Sequence, residues 1–319
     1  MTTNPLRRMP TDSDPLFLTE CGIETTLMYK KGWELEHFCL FEKLRYPEFI
    51  DDLRAYHTGL IEVALEHKVG HILDGVHYRA SPDWGRKLGM SDQELADLNA
   101  KGVEIYADLS REYATEDTPI PVGCCIGPRG DAYDVGLKMG PDEAEEYHTT
   151  QIETAKAAGA DYVAALTHNQ IDEAIGVVRA AKAADMPIIM SFSLNKAAHL
   201  KTGPSLGEAI TTVEAATDAA PIFYMINCNH PVDFLPALFN PDPWIERLKG
   251  IRPNASSLDH GILCKLGHLE EGNPVELGQQ MGEIVARFPQ INVVGGCCGT
   301  DHPHLREIAR SVLEIKTAA

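Results

Sequence analysis

A short apolar run followed by a stretch of helical spacing recurs eight times along this chain, and few architectures can be built in that order. The apolar runs are read at 16–20, 71–74, 119–125, 161–166, 186–192, 222–228, 251–256 and 291–294. Helical spacing occupies 47–68, a segment opening at Ser91, 141–158, 171–184, 206–216, a short stretch near Trp244, 274–288 and 303–315. Pro47 and Pro141 stand at helix starts, Gly70 stops the first long helix, and Ser91 with Glu94 reads as a capping box. Runs that are apolar without alternation are buried on both faces, as in a parallel sheet. Strands alternating with helices require parallel pairing and right-handed crossovers. Eight such units predict an α/β fold of the closed (β/α)8 TIM-barrel kind rather than an open sheet. The expected layout is a polar, proline-containing flexible arm over residues 1–15 and a single barrel domain over 16–319.

Composition excludes several function classes. The net charge of −19 argues against nucleic acid or an anionic membrane as partner. No apolar run approaches the roughly 18 residues that span a bilayer. Arg7-Arg8 is followed by acids and prolines rather than the apolar core of a signal peptide, so a cytoplasmic location is expected. Eight cysteines in 319 residues do not make a disulfide scaffold; they suit a reducing compartment, where thiols serve metals or catalysis.

Three of those thiols end apolar runs. Ile291 to Val294 closes on Gly295-Gly296 and then presents Cys297 and Cys298; Ile222 to Asn227 closes on Cys228. In a barrel both runs end on the carboxyl face, where α/β folds carry their chemistry. Cys228, Cys297 and Cys298 can then aim at one point, a Zn2+ constellation with an open fourth position. His260, Cys264 and His268 also have metal-like spacing, but Gly261 and Gly267 make a regular helix doubtful and a loop near the site is preferred. His302 and His304 are read as exposed capping residues, His230 as a turn residue, and Cys124-Cys125 as small-residue packing at the mouth. Residues 21–27 are read as a turn that carries Glu24, with Glu20 ending the first strand, which puts at least one of the two carboxylates at the mouth.

The ordered strand-end motifs resemble the homocysteine S-methyltransferase family. Gly295-Gly296-Cys297-Cys298-Gly299-Thr300 and Ile226-Asn227-Cys228 with Pro231 carry the likeness. Ile126-Gly127-Pro128, Met190-Ser191-Phe192-Ser193 and Pro253-Asn254 support it in order. The resemblance spans residues 16–315. It implies a TIM barrel whose zinc, held by Cys228, Cys297 and Cys298, binds an acceptor thiol, and a methyl group taken from an onium-type donor. Homocysteine, giving methionine, is the default acceptor, and methionine biosynthesis the default setting. The partners are then small molecules, with a homo-oligomer left open.

The amino-acid end of the pattern departs from the family. The first-strand motif Asp-Gly-Gly-Met-Gly-Thr is here Glu20-Cys21-Gly22-Ile23-Glu24-Thr25. The family's Phe-Glu-Thr, whose Glu holds the amine of homocysteine, is here Ala165-Leu166-Thr167. Val76-His77-Tyr78-Arg79-Ala80 replaces a pattern whose fourth position is neutral. The substrate pocket is therefore assigned to Glu20, Glu24, Tyr78, Arg79, Leu166, Thr167 and Asn227. Leu166 cannot accept from an ammonium and Arg79 suits an anion, which favours an acidic, amine-free thiol; homocysteine held by Glu20 or Glu24 is the alternative. A dithiol oxidoreductase using Cys297-Cys298 and a non-catalytic thiol- or metal-binding protein are the remaining rivals.

Overall fold

The computed structural model describes residues 4–134, 136–239, 242–263 and 265–318. Its centre is an eight-stranded parallel sheet in the order β2-β1-β8-β7-β6-β5-β4-β3, curled as in a TIM barrel and backed by helices. The strands are β1 (Phe17–Leu18), β2 (Gly70–His71), β3 (Gly123–Ile126), β4 (Tyr162–His168), β5 (Ile188–Phe192), β6 (Tyr224–Asn227), β7 (Leu248–Arg252) and β8 (Val293–Val294). The segments at the two ends of this order also meet. Leu73 bridges Val122 in parallel, His71 N donates to Pro119 O (3.0 Å), and Gly123 N donates to Leu73 O (2.7 Å).

Side-chain alternation along the strands divides the core in two. Phe17, Ile72, Tyr162, Ala164, Leu166, Ile189, Met225 and Val293 pack with one another inside the sheet's curl. Leu16, Leu18, Val163, Ala165, Ile188, Met190 and Ile226 face the helices instead. Residues 4–15, the stretch read from sequence as an arm, run across the amino ends of the strands. Ile120 N donates to Leu6 O (2.8 Å), Arg7 pairs with Asp161 (2.7 Å), Asn292 Nδ2 donates to Thr11 O (2.8 Å), and Met9 joins the inner cluster.

Two elements differ from the sequence expectation. The seventh strand is Leu248–Arg252, not 251–256. Its partners are set by β8, with Gly250 opposite Val293 and Ile251 opposite Val294. Pro253 ends it because proline brings no N–H to the ladder; its carbonyl accepts from Cys297 N instead (2.7 Å). Residues 21–27 are not a turn: a helix runs over Ile23–Lys31, closed by Gly32 in the left-handed region at φ 77°. The Ser91–Glu94 capping box is present at the start of the Asp92–Tyr113 helix. No helix among the described residues is long and apolar enough to cross a membrane.

Candidate active site

The loop after β8 is held from three sides. Gly296 N donates to Glu20 O (2.9 Å), Ala255 N to Cys298 O (3.0 Å) and Gly299 N to Thr25 Oγ1 (3.1 Å), while Thr300 Oγ1 donates to Cys297 O (2.7 Å). A side chain at Gly295 would run into Thr19 Oγ1 and the Glu20 carbonyl, so only glycine lets β1 approach this closely. Across the mouth, Cys228 N donates to Arg252 O (3.2 Å), and Cys228 takes a left-handed φ of 57°. The sulfur atoms of Cys228, Cys297 and Cys298 all lie within 4.8 Å of one another. Thiolates bound to one zinc at about 2.3 Å in a tetrahedron stand about 3.8 Å apart, so the three would close round such an ion once the Cys228 and Cys297 sulfurs move apart.

The sulfurs of Cys228 and Cys297 are in direct contact, with Cα atoms 5.4 Å apart. The three thiols that the sequence points to as a metal constellation thus meet at one place. The other thiols at the mouth are of a different kind. Cys21 and Cys125 line the cavity, and burial pushes the Cys21 thiol up to about 12 and raises that of Cys125 as well, so both stay protonated at neutral pH.

Beside the sulfurs opens a cavity of about 290 Å³. Glu24, Tyr78, Arg79, Leu166, Thr167 and Asn227 all line it, together with the three cysteines. Glu20 does not. It is fully buried beneath the floor, accepting from Asp74 N (2.7 Å) and Gly75 N (2.9 Å). Phe38, Thr167 and Cys228 share the wall and each has a positive φ, of 62°, 62° and 57°. Such backbone is costly for a β-branched residue such as Thr167 and persists where surrounding structure holds it. Asn227 supplies that hold. Its Oδ1 accepts from Thr167 N (2.8 Å) and Ser191 Oγ (2.6 Å), and its Nδ2 donates to Thr167 Oγ1 (2.7 Å) and towards Cys228 Sγ (3.4 Å). A second hollow of about 440 Å³ shares Tyr133 and Cys228 with the first, so the thiol cluster is approached from two sides.

The charges at the mouth are mostly neutralised within the protein. Arg79 donates to His37 O (2.7 Å) and Asp131 (2.8 Å), and Trp84 lies 4.3 Å from its guanidinium carbon. Its fork, expected to receive a substrate anion, is largely occupied by these neighbours. Arg252 pairs with Asp74 (2.9 Å) and donates to Gly296 O (3.3 Å); burial, partly offset by Arg252, leaves the Asp74 carboxyl up at about 6. Burial and then the nearby Glu20 charge push Glu24 up to about 7 against the pull of its own backbone N–H. Phe38, Asp131, Tyr133 and Arg252 escaped the sequence reading. Only Arg252 carried a signal, a charge inside an apolar run; the others lie in loops without periodicity.

His304 is buried rather than exposed, bonded through Nδ1 to Asp301 (2.9 Å) and through Nε2 to Glu271 O (2.7 Å). His302 Nε2 meets Tyr56 O (2.9 Å), and His230 caps the short Pro231–Phe234 helix. Cys264 and the His260 side chain, two members of the alternative histidine–cysteine set, lie outside the described residues.

The profile of the family described as homocysteine S-methyltransferase matches residues 52–312. A curated relative, homocysteine S-methyltransferase YbgG of Bacillus subtilis (strain 168), is 24% identical over 98% of this chain and 99% of its own. Among solved structures, the oxidised form of the homocysteine methyltransferase MmuM from Escherichia coli superposes with a TM-score of 0.75. It is 21% identical, covering 97% of this chain and 99% of that one. The metallated form of the same protein gives 0.70 at 20% identity, over 99% and 100%. These structures share the fold.

Proposed function

Since the chain belongs to the homocysteine S-methyltransferase family and is therefore a methyltransferase, we propose that it is a zinc-dependent thiol S-methyltransferase, with homocysteine as default acceptor and an onium compound as donor. The observation that carries this reading is the meeting of three sulfurs from two strand ends at the edge of a closed-in cavity. Cys228, Cys297 and Cys298 would hold the ion as thiolates. Zinc, when bound, is a Lewis acid that favours the thiolate form of a thiol at neutral pH.

This chain's own side chains do the rest. Asn227 Nδ2 points a hydrogen-bond donor at Cys228 Sγ and fixes Thr167 in its strained backbone. Leu166 and Ile23 give the cavity apolar walls that exclude water. The acceptor thiolate then attacks the donor methyl carbon in line. A new S–C bond forms as the bond to the onium centre breaks, and the pair of electrons stays on that centre, which loses its positive charge. The two hollows meeting at Cys228 give acceptor and donor separate approaches. The sheet is read as a closed (β/α)8 barrel, supported by the Leu73–Val122 bridge, and residues 16–319 as a single cytoplasmic domain with no nucleic-acid or membrane partner.

The reduced protein should carry one zinc per chain by elemental analysis and methylate homocysteine from an onium donor in a mass-spectrometric assay. Cys298→Ser should lose both the metal and at least about a hundredfold in rate, roughly 2.7 kcal/mol of barrier. Zinc content unchanged by Cys298→Ser, or no thiol methylated across a panel of onium donors, would sink the reading.

A further inference from the structure

Four charged side chains line the cavity: Glu24, Arg79, Asp131 and Arg252. Arg79 pairs with Asp131, and Arg252 pairs with Asp74 below the floor. Glu24 has no ion-pair partner among the described residues; its carboxylate meets only its own backbone N–H. It stands in the first turn of the Ile23–Lys31 helix, half-buried, with Ile23, Leu166 and Phe38 among the apolar side chains that line the same cavity. The loop bearing Cys297 and Cys298 docks on that same turn, through Gly299 N to Thr25 Oγ1 and through the packing of Gly22 on the Cys297 carbonyl. An unpaired carboxylate in such surroundings is held at a cost unless a cation joins it.

We propose that Glu24 is the specificity-determining residue of this site and receives a positively charged group of the substrate. That group is either the ammonium of the thiol acceptor or the onium centre of the methyl donor, which share the chemistry a lone carboxylate recognises. The assignment rests on the methyl-transfer reading only for naming those two sources. Leu166, which lines the same cavity, offers no acceptor, and Asp131 is already engaged by Arg79, so among the described residues the cation has one carboxylate to meet. The raised titration of Glu24 agrees with this: burial and the Glu20 charge oppose its ionisation, Arg252 and Arg79 favour it more weakly, and a bound cation would complete the balance.

Two matched pairs of probes test the assignment by calorimetry on the reduced, zinc-loaded full chain at pH 8.5, where Glu24 is ionised. Homocysteine is compared with 4-mercaptobutanoate, and betaine with its neutral carbon isostere 3,3-dimethylbutanoate. The parent should bind the cationic member of one pair at least tenfold more tightly, and that pair identifies the source of the charge. Glu24→Gln, at an unchanged thermal midpoint, should bring the ratio to within about threefold, with Glu24→Asp intermediate. Equal or unmeasurable binding of both members in both pairs, or a preference that survives Glu24→Gln and Glu24→Asp, overturns the proposal. If the ratio collapses but no thiol is methylated, the functional reading fails and the Glu24 assignment stands; methylation with an unaltered ratio gives the reverse.

Discussion

Asn227 is the side chain on which most of the mouth depends, because both ends of its amide are committed. It satisfies Thr167 N and Ser191 Oγ with its oxygen and reaches Thr167 Oγ1 and Cys228 Sγ with its nitrogen. Removing one partner of a buried hydrogen bond leaves the other unsatisfied, at about 1–3 kcal/mol. Groups that orient a metal ligand typically change metal affinity 10–100-fold when lost. Asn227→Ala should therefore lower stability by about 1–3 kcal/mol in a denaturant titration and weaken zinc about 10–100-fold in a chelator competition. A variant that binds zinc like the parent would show that the amide serves only Thr167.

At the level of elements, the thiols owe their meeting to how closely β1 and the loop after β8 approach. Gly295 lies against Thr19 and the Glu20 carbonyl, where a methyl group has no room and the obstacle is partly backbone. Gly295→Ala should displace the Cys297–Cys298 loop and cost both zinc content and about 1–3 kcal/mol, the usual price of overpacking. Gly140→Ala is the matched control: open space surrounds that position and its φ is −77°. As the N-cap of the Pro141–Ala157 helix, where glycine is preferred to alanine, it should cost up to about 1 kcal/mol and leave the zinc content unchanged. Calorimetric midpoints and metal analysis of the two variants read the difference. The displaced seventh strand follows the same logic, since its pairing with β8 sets where Arg252 and Pro253 fall and so where Cys297 N finds its acceptor.

Across the whole molecule, the pH response is set by buried imidazoles. Burial lowers His57 and His71 to about 3 and His77 and His168 to about 4. Each is neutral in the fold but takes up a proton near pH 6.5 when unfolded. Their stabilisation is complete above pH 6.5 and is lost progressively as pH falls, levelling off only below the folded values. Asp74 and Glu24, raised to about 6 and about 7, work in the opposite direction as pH falls. The contribution of one histidine is therefore best read against a variant. His57→Leu should lose about 2–3 kcal/mol less stability than the parent between pH 7 and pH 4.5, by thermal denaturation at each pH. Equal losses would mean that the imidazole is already charged in the fold.

Much was legible in the linear chain, for a local reason. Apolar runs alternating with helical spacing depend on periods of 2 and 3.6 residues, and they located all eight strands, the second and the seventh displaced towards the amino end. The glycine pair before Cys297 and the thiol closing β6 marked the carboxyl face, and Tyr78, Arg79, Leu166, Thr167 and Asn227 do line one cavity. The state of the charges there was not legible, because it depends on partners far apart in sequence. Arg79 is engaged by Asp131 and Arg252 by Asp74, 52 and 178 positions away. The choice between Glu20 and Glu24 rests on a helix beginning at Ile23, where the sequence suggested a turn. That helix carries Glu24 into the cavity, while the amides of Asp74 and Gly75 hold Glu20 beneath the floor. Local periodicity determined which strands end at the site; packing between distant loops decided which of its charges are paired within the protein.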